Sequence, residues 1–259
     1  LSNMYIRKPD MIIAASGSAP TSICYITGQY YIITKVWLEY LSTKKFVNFL
    51  RFWKIVSADY LVDDVLKNKN PLDMEKARNS NITAFFPLTD SKTGEIKYFS
   101  NKEKVNLWQV VKASVSVPIF TNLFSVKGEL VNGRFFSDSS PASRFQLHVK
   151  KAIEEGMERI IVFDNWHPND NPTTYFFSKF FAYMRNSKFR KNQLSYFKQM
   201  ENFSIPKNIE FIKIEPKEKL AMSRFEIDNE NARKIFKRGY GDTLNNGKLL
   251  EIIKEESKS

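Results

Sequence analysis

Met11-Ile12-Ile13-Ala14-Ala15 is a short, continuously apolar run that ends in small residues. Directly behind it, from Pro20 to Tyr40, apolar side chains recur at helical spacing (Ile23, Ile26, Tyr30, Ile33, Val36, Trp37, Tyr40). A short run that is apolar at every position reads as a buried strand, and a proline is tolerated in the first turn of a helix. The pattern therefore predicts a strand, a sharp bend at Ser16-Gly17-Ser18-Ala19 and one long helix.

The remaining pattern repeats this alternation. Ala58 to Leu66 opens as a short helix, and Asn81 to Phe86 and Glu95 to Phe99 read as a hairpin joined by the turn-forming residues 90–94. Val105 to Ala113 is helical, and Val126 to Ser137 is strand-like, with an Asn132-Gly133 turn of the kind that closes hairpins. Ser143 to Glu155 is an amphipathic helix with Gly156 placed as its C-terminal cap. Then come a buried strand at Arg159 to Asp164, a mostly helical stretch from Pro172 to Met200, a strand at Ile209 to Ile214 and two further helices. Strands alternating with long helices imply a sheet covered on both faces, so the expected fold is a three-layer α/β/α sandwich around a central, mostly parallel sheet. No repeat and no Pro/Gly/Ser linker divides the chain. A single domain over 1–259 is expected, with its core at about 10–215 and a helical extension at about 216–259.

Composition removes several chemistries. Cys24 is the single cysteine, which excludes an internal disulfide and a cysteine zinc cage, and only His148 and His167 could supply imidazoles. No apolar run approaches the ~20 residues of a membrane span. Forty Lys and Arg against 28 Asp and Glu give a net charge of +12, which suits nucleic acid, anionic lipid or an acidic substrate. There is no Walker loop, dinucleotide fingerprint or metal-ligand cluster, so no cofactor and no metal is expected. The expected location is cytoplasmic, with peripheral contact at a membrane.

The bend carries the chemistry. A serine at a tight strand-to-helix turn projects its Oγ above the sheet, and the backbone there demands small neighbours, which Ala14 and Ser18 are. The following helix aims N–H groups at the site, where they can stabilise an oxyanion. A second stretch, Asn132-Gly133-Arg134-Phe135-Phe136-Ser137-Asp138-Ser139-Ser140, ends a strand on an aspartate beside small residues. Such an aspartate can take a proton from a nearby serine; read alone, it is first a turn or helix-cap residue.

In these stretches the chain resembles the patatin-like phospholipases, particularly the small bacterial members. Asp10 to Gln29 is similar to the family's nucleophile strand, G-x-S-x-G elbow and following helix. Ala113 to Ser140 is similar to its block of small residues, A-x-P, variable loop and D-G-G motif. The helix, glycine and apolar strand of Ser143 to Asp164 follow the same plan, as does the helix of Arg224 to Gly241 with its Gly-Tyr-Gly turn. The resemblance implies a Ser–Asp dyad, with Ser16 as nucleophile, Asp138 as general base and Gly17 N–H as an oxyanion donor. It implies cleavage of lipid acyl esters through an acyl-enzyme. A dyad needs no imidazole, in keeping with the scarcity of histidine. His148 on a helix and His167 in a polar loop are expected to play no catalytic part, and Ser18 is the rival nucleophile.

The chain departs from the family's pattern at three points. The elbow reads Ala14-Ala15-Ser16-Gly17-Ser18, whose added Cβ atoms are expected to crowd the bend, and D-G-G reads Asp138-Ser139-Ser140. The family's glycine-rich oxyanion loop has no counterpart among the glycine-free residues before Ser16, and the chain starts Leu1-Ser2-Asn3-Met4. Two expectations follow: a piece of an active hydrolase, or a catalytically impaired patatin-fold protein that binds lipid without turnover.

Two stretches interleave cations with aromatics, Lys44 to Lys54 and Tyr175 to Lys198. On a helix this pattern would set Phe and Trp against acyl chains and Lys and Arg against anionic headgroups; equally, the aromatics would be core and the cations a solvated face. The cations are spread along the chain and no nucleic-acid motif is present, so the expected partner is a lipid substrate or membrane surface rather than nucleic acid.

Overall fold

The computed structural model describes residues 9–118, 120–121, 127–139, 145–165, 180–218 and 228–256. Among these the fold is mixed α/β, beginning β1 (Met11–Ile13), α1 (Ser18–Thr27), α2 (Tyr30–Lys35), α3 (Tyr60–Lys69, wound as a π-helix), α4 (Met74–Asn79), β2 (Thr83–Asp90), β3 (Ile96–Ser100) and α5 (Leu107–Val115). It continues β4 (Glu129–Val131), β5 (Arg134–Asp138), α6 (Phe145–Glu154), β6 (Arg159–Phe163), α7 (Ser187–Glu201), β7 (Glu210–Ile214), α8 (Asn229–Leu244) and α9 (Gly247–Glu256). No helix among the described residues is long and apolar enough to cross a membrane.

β2 is the axis of the main sheet. Along Phe85–Thr89 it pairs antiparallel with β3. Its other edge is shared. β1 lies parallel against Thr83–Phe85, and β5 lies antiparallel against Leu88–Asp90, with β4 beyond it. A second sheet pairs β6 and β7 in parallel. The expected parallel pairing thus holds for the strand pairs separated by intervening helices, β1–β2 and β6–β7. The antiparallel pairs come from the two hairpins and from their docking on each other. The β4–β5 hairpin turns at Asn132 and Gly133, which take φ of 46° and 77°, the left-handed pair that matches strand twist.

Alternate residues of the strands face different helices. Ile12 and Ala14 of the first strand-turn, with Ala84, Phe86 and Leu88 of β2, belong to the largest core, together with Ile23 of α1 and Val110 and Val111 of α5. Met11 and Ile13 pack instead with Val149 and Ala152 of α6 and Ile160 of β6. Helices therefore cover both faces of β1, as the period-2 geometry of a strand allows. α9 covers β7 through Leu249 and Ile252.

Two local expectations are corrected. The long helix of Pro20 to Tyr40 breaks at Gly28, whose φ of 75° caps α1: its N–H donates to Tyr25 O and the Gln29 N–H to Cys24 O. α2 then runs into a wider turn over Val36–Tyr40, with Leu41 N–H reaching back to Val36 O. Of the two cation–aromatic stretches, Lys44 to Lys54 forms turns, because Val47 and Val56 pair antiparallel across it. The runs at β1 and β6 were expected to be fully buried; Met11, Ile12 and Ile13 are half-buried and Phe163 is exposed. In the described residues each of these strands has one paired edge.

Candidate active site

The site lies where two strand ends converge. β1 and β5 occupy the same edge of β2 and run toward each other, β1 ending opposite Phe85 and β5 ending opposite Leu88. Ala14 N–H still donates to Phe85 O, so the chain leaves the sheet only at Ala15 and turns into α1 at Gly17. Ser16 sits on that turn with φ 55°, a left-handed backbone that costs an L-residue with a side chain about 1–2 kcal/mol. Among the described residues only Asn132 is another non-glycine with positive φ.

From this bend Ser16 Oγ donates to Asp138 Oδ2 at 2.7 Å. Asp138 is 1 % exposed, flanked by buried Ser137 and Ser139, and its N–H donates to Ser116 O at the end of α5. A half-buried hydroxyl bonded to a buried carboxylate, on a bend that holds the oxygen clear of the sheet, can transfer its proton while attacking an electrophile. The structure thus brings Ser16 and Asp138 together.

Gly17 begins α1 in ordinary right-handed backbone (φ −58°, ψ −14°), so its conformation does not demand glycine. The neighbouring first-turn donors are engaged, Ser18 N–H with Ala15 O and Ala19 N–H with Ser16 O. Ser18 is exposed at the start of α1, so its extra Cβ meets solvent, and the expected crowding of the bend does not occur on that side. Ala14 and Ala19 are 2 % and 0 % exposed, which shows where small size is required. Ser139 has no positive φ and so does not use the freedom a glycine would give.

The other titratable candidates have structural roles. His148 is half-buried, with its Nε2 enclosed and its Nδ1 3.1 Å from the Tyr98 hydroxyl, and desolvation of the ring pushes its pKa down to about 4, so it is neutral near pH 7. The Cys24 thiol lies inside α1's packed face, and burial pushes its pKa up to about 12, far from a reactive thiolate. His167 and Ser140 lie outside the described residues. No group of three metal-ligating side chains occurs among the described residues.

Trp37 was not singled out for the site by the sequence. A Cβ placed on Gly17 would meet its indole at 3.7 Å, so the ring, 42 % exposed, flanks the elbow. The wide turn over Val36–Tyr40 puts it there, whereas the sequence pattern marks Trp37 only as one of the apolar residues of a long helix. A groove of about 540 Å³ is lined by Tyr30, Tyr31, Lys35 and Arg233, and none of Ser16, Asp138 and Trp37 lines it.

No protein-family model matches the sequence, and no match is found among curated proteins. The chemistry of the site therefore rests on its own geometry and on the likeness of its motifs.

Proposed function

We propose that the protein is a serine acyl hydrolase of patatin-like type that cleaves lipid acyl esters, and that its layers correspond to that family's three-layer sandwich. The observation that carries the reading is the 2.7 Å bond from Ser16 Oγ to Asp138 Oδ2 at a residue held at φ 55°. Helices on both faces of β1 support the sandwich.

In the proposed reaction Ser16 Oγ attacks the ester carbonyl carbon as its proton passes to Asp138. The oxyanion of the tetrahedral intermediate forms beside Gly17 N–H. Collapse breaks the ester C–O bond; the departing alcohol takes the proton from Asp138 and leaves an acyl group on Ser16. Water then gives a proton to Asp138 and attacks the acyl carbon, and the fatty acid leaves as the proton returns to Ser16 Oγ. The Trp37 ring offers an apolar wall beside the elbow for an acyl chain.

The test is covalent labelling by a fluorophosphonate together with turnover of a p-nitrophenyl ester and of a phospholipid. Labelling confined to Ser16 with release of product supports the reading; a Ser16→Ala protein that labels and turns over fully overturns it. A second reading, lipid binding without turnover, is favoured by the engagement of the Ser18 and Ala19 N–H groups, which leaves Gly17 as the elbow's oxyanion donor. One lost donor costs about 10²–10³ in rate, so labelling without measurable turnover would support this reading.

A further inference from the structure

We infer that the loop between Val47 and Val56 is a wedge that inserts into the interface of an anionic lipid bilayer. This stands on the loop's geometry and does not need the hydrolase reading.

The loop is built to hold apolar groups out in water. Val47 and Val56 pair at its base and are both buried, and Asn48 N–H donates to Ile55 O across the stem. Within the tip, Arg51 N–H donates to Asn48 O, Lys54 N–H to Arg51 O and Leu50 N–H to Asn48 Oδ1. The Arg51 guanidinium turns inward onto the carbonyls of Lys44, Lys45 and Phe46. On this tied backbone Leu50 is 88 % exposed, Phe52 60 % and Trp53 47 %, and the Phe52 and Trp53 rings meet edge to face at 5.0 Å. Phe49, also exposed, extends the patch.

Two features select a bilayer over a protein partner. First, the apolar groups project from a narrow turn, whereas protein-binding hot spots lie in packed, desolvated pockets near the centre of a broad interface. Second, the exposed Lys44 and Lys45 directly precede the Val47–Val56 stem, and their carbonyls receive the Arg51 guanidinium of the loop. That is the arrangement of an interfacial anchor, with Phe, Leu and Trp at the acyl boundary and cations among anionic headgroups. The net charge of +12 acts in the same direction at longer range. The wedge is also linked to the dyad: Val56 N–H donates to Phe120 O, four residues beyond Ser116, whose carbonyl receives the Asp138 N–H.

The test compares vesicles of pure phosphatidylcholine with vesicles holding about 30 mol % phosphatidylglycerol. The proteins are wild type, Ser16→Ala, Lys44→Glu/Lys45→Glu and Leu50→Ser/Phe52→Ser/Trp53→Ser. Wild type and Ser16→Ala should co-sediment alike with the anionic vesicles, and less at high salt. The double charge reversal should weaken binding about thirtyfold or more, and the triple serine variant by about tenfold or more, while hydrolysis of a short soluble ester is unchanged. Brominated lipid should quench wild-type tryptophan fluorescence, and quenching should largely disappear in Trp53→Phe. Wild type that ignores anionic vesicles, or a triple variant that binds as wild type does, overturns the proposal. So does a concentration-dependent dimer in sedimentation that the triple variant abolishes, because the patch would then be a protein interface. Loss of ester hydrolysis in Ser16→Ala with vesicle binding intact bears on the dyad alone.

Discussion

Ser16 and Asp138, 122 residues apart in sequence, share a hydrogen bond because β1 and β5 run toward each other along one edge of β2. The sheet register fixes their separation, with Phe85 opposite one strand end and Leu88 opposite the other, so little side-chain freedom remains in the contact.

That rigidity makes Asp138→Asn informative. The amide has the carboxylate's shape and can keep the contact with Ser16 Oγ, but it cannot take the proton. Loss of a positioned general base costs about 10²–10⁴ in rate. Fluorophosphonate labelling and ester turnover should fall together by that factor with the fold intact by circular dichroism. Retention of activity within about tenfold would remove Asp138 from the role of base.

The left-handed backbone at Ser16 yields a test independent of activity. In most contexts Ala is more stable than Gly by roughly 0.5–1 kcal/mol, because Gly gives up more chain entropy. At φ 55° the order should reverse, since only Gly escapes the steric cost of about 1–2 kcal/mol. Both variants lack the hydroxyl, so the lost bond to Asp138 cancels between them. Ser16→Gly should therefore denature at higher urea than Ser16→Ala by about 0.5–1 kcal/mol, with neither active. An Ala variant at least as stable as the Gly variant would show that the bend is not strained.

Local chemistry made parts of this legible in the sequence. Small residues between an apolar run and a helical pattern marked the bend, and Asn132-Gly133 marked the hairpin that delivers Asp138. What could not be read depends on partners distant in sequence. The helix break at Gly28 looks like a tolerated glycine until its cap bonds are seen. Lys44 to Lys54 has helical-looking aromatic spacing, yet the Val47–Val56 pairing bends it into a loop. Apolar periodicity cannot distinguish a Trp37 that fills a core from one that flanks the elbow, because a wide turn alters the register of its helix.

Stability should depend on pH through His148. Its pKa in the folded protein is about 4 against 6.5 for an ordinary histidine, because burial disfavours the charged ring. Between these values the unfolded chain binds a proton that the folded protein does not, so stability present above pH 6.5 is lost as pH falls toward 4. The complete loss is of order 3 kcal/mol. Urea unfolding of wild type and His148→Gln across this range measures it, since the carboxylates common to both cancel in the difference. The glutamine variant should lose less stability on acidification; parallel curves would mean that His148 titrates normally in the folded protein.

Gly128 couples the hairpin to the dyad. It enters β4 with φ +72°, and a Cβ there would collide with the Phe136 carbonyl, lying 2.7 Å from its carbon. Phe136 is on β5 two residues before Asp138, so the collision must be relieved either by moving that strand or by unpairing the hairpin. Gly133, at the hairpin turn with φ +77°, faces open space and serves as the control. Gly133→Ala should cost about 1 kcal/mol, from its φ alone, and leave the labelling of Ser16 nearly unchanged. Gly128→Ala should cost about 2–4 kcal/mol, from backbone strain and overpacking together, and slow labelling of the folded fraction by displacing Asp138 from Ser16 Oγ. Thermal melts and labelling rates of the two variants separate these effects. Equal rates in both would mean that the register of β5 does not govern the dyad.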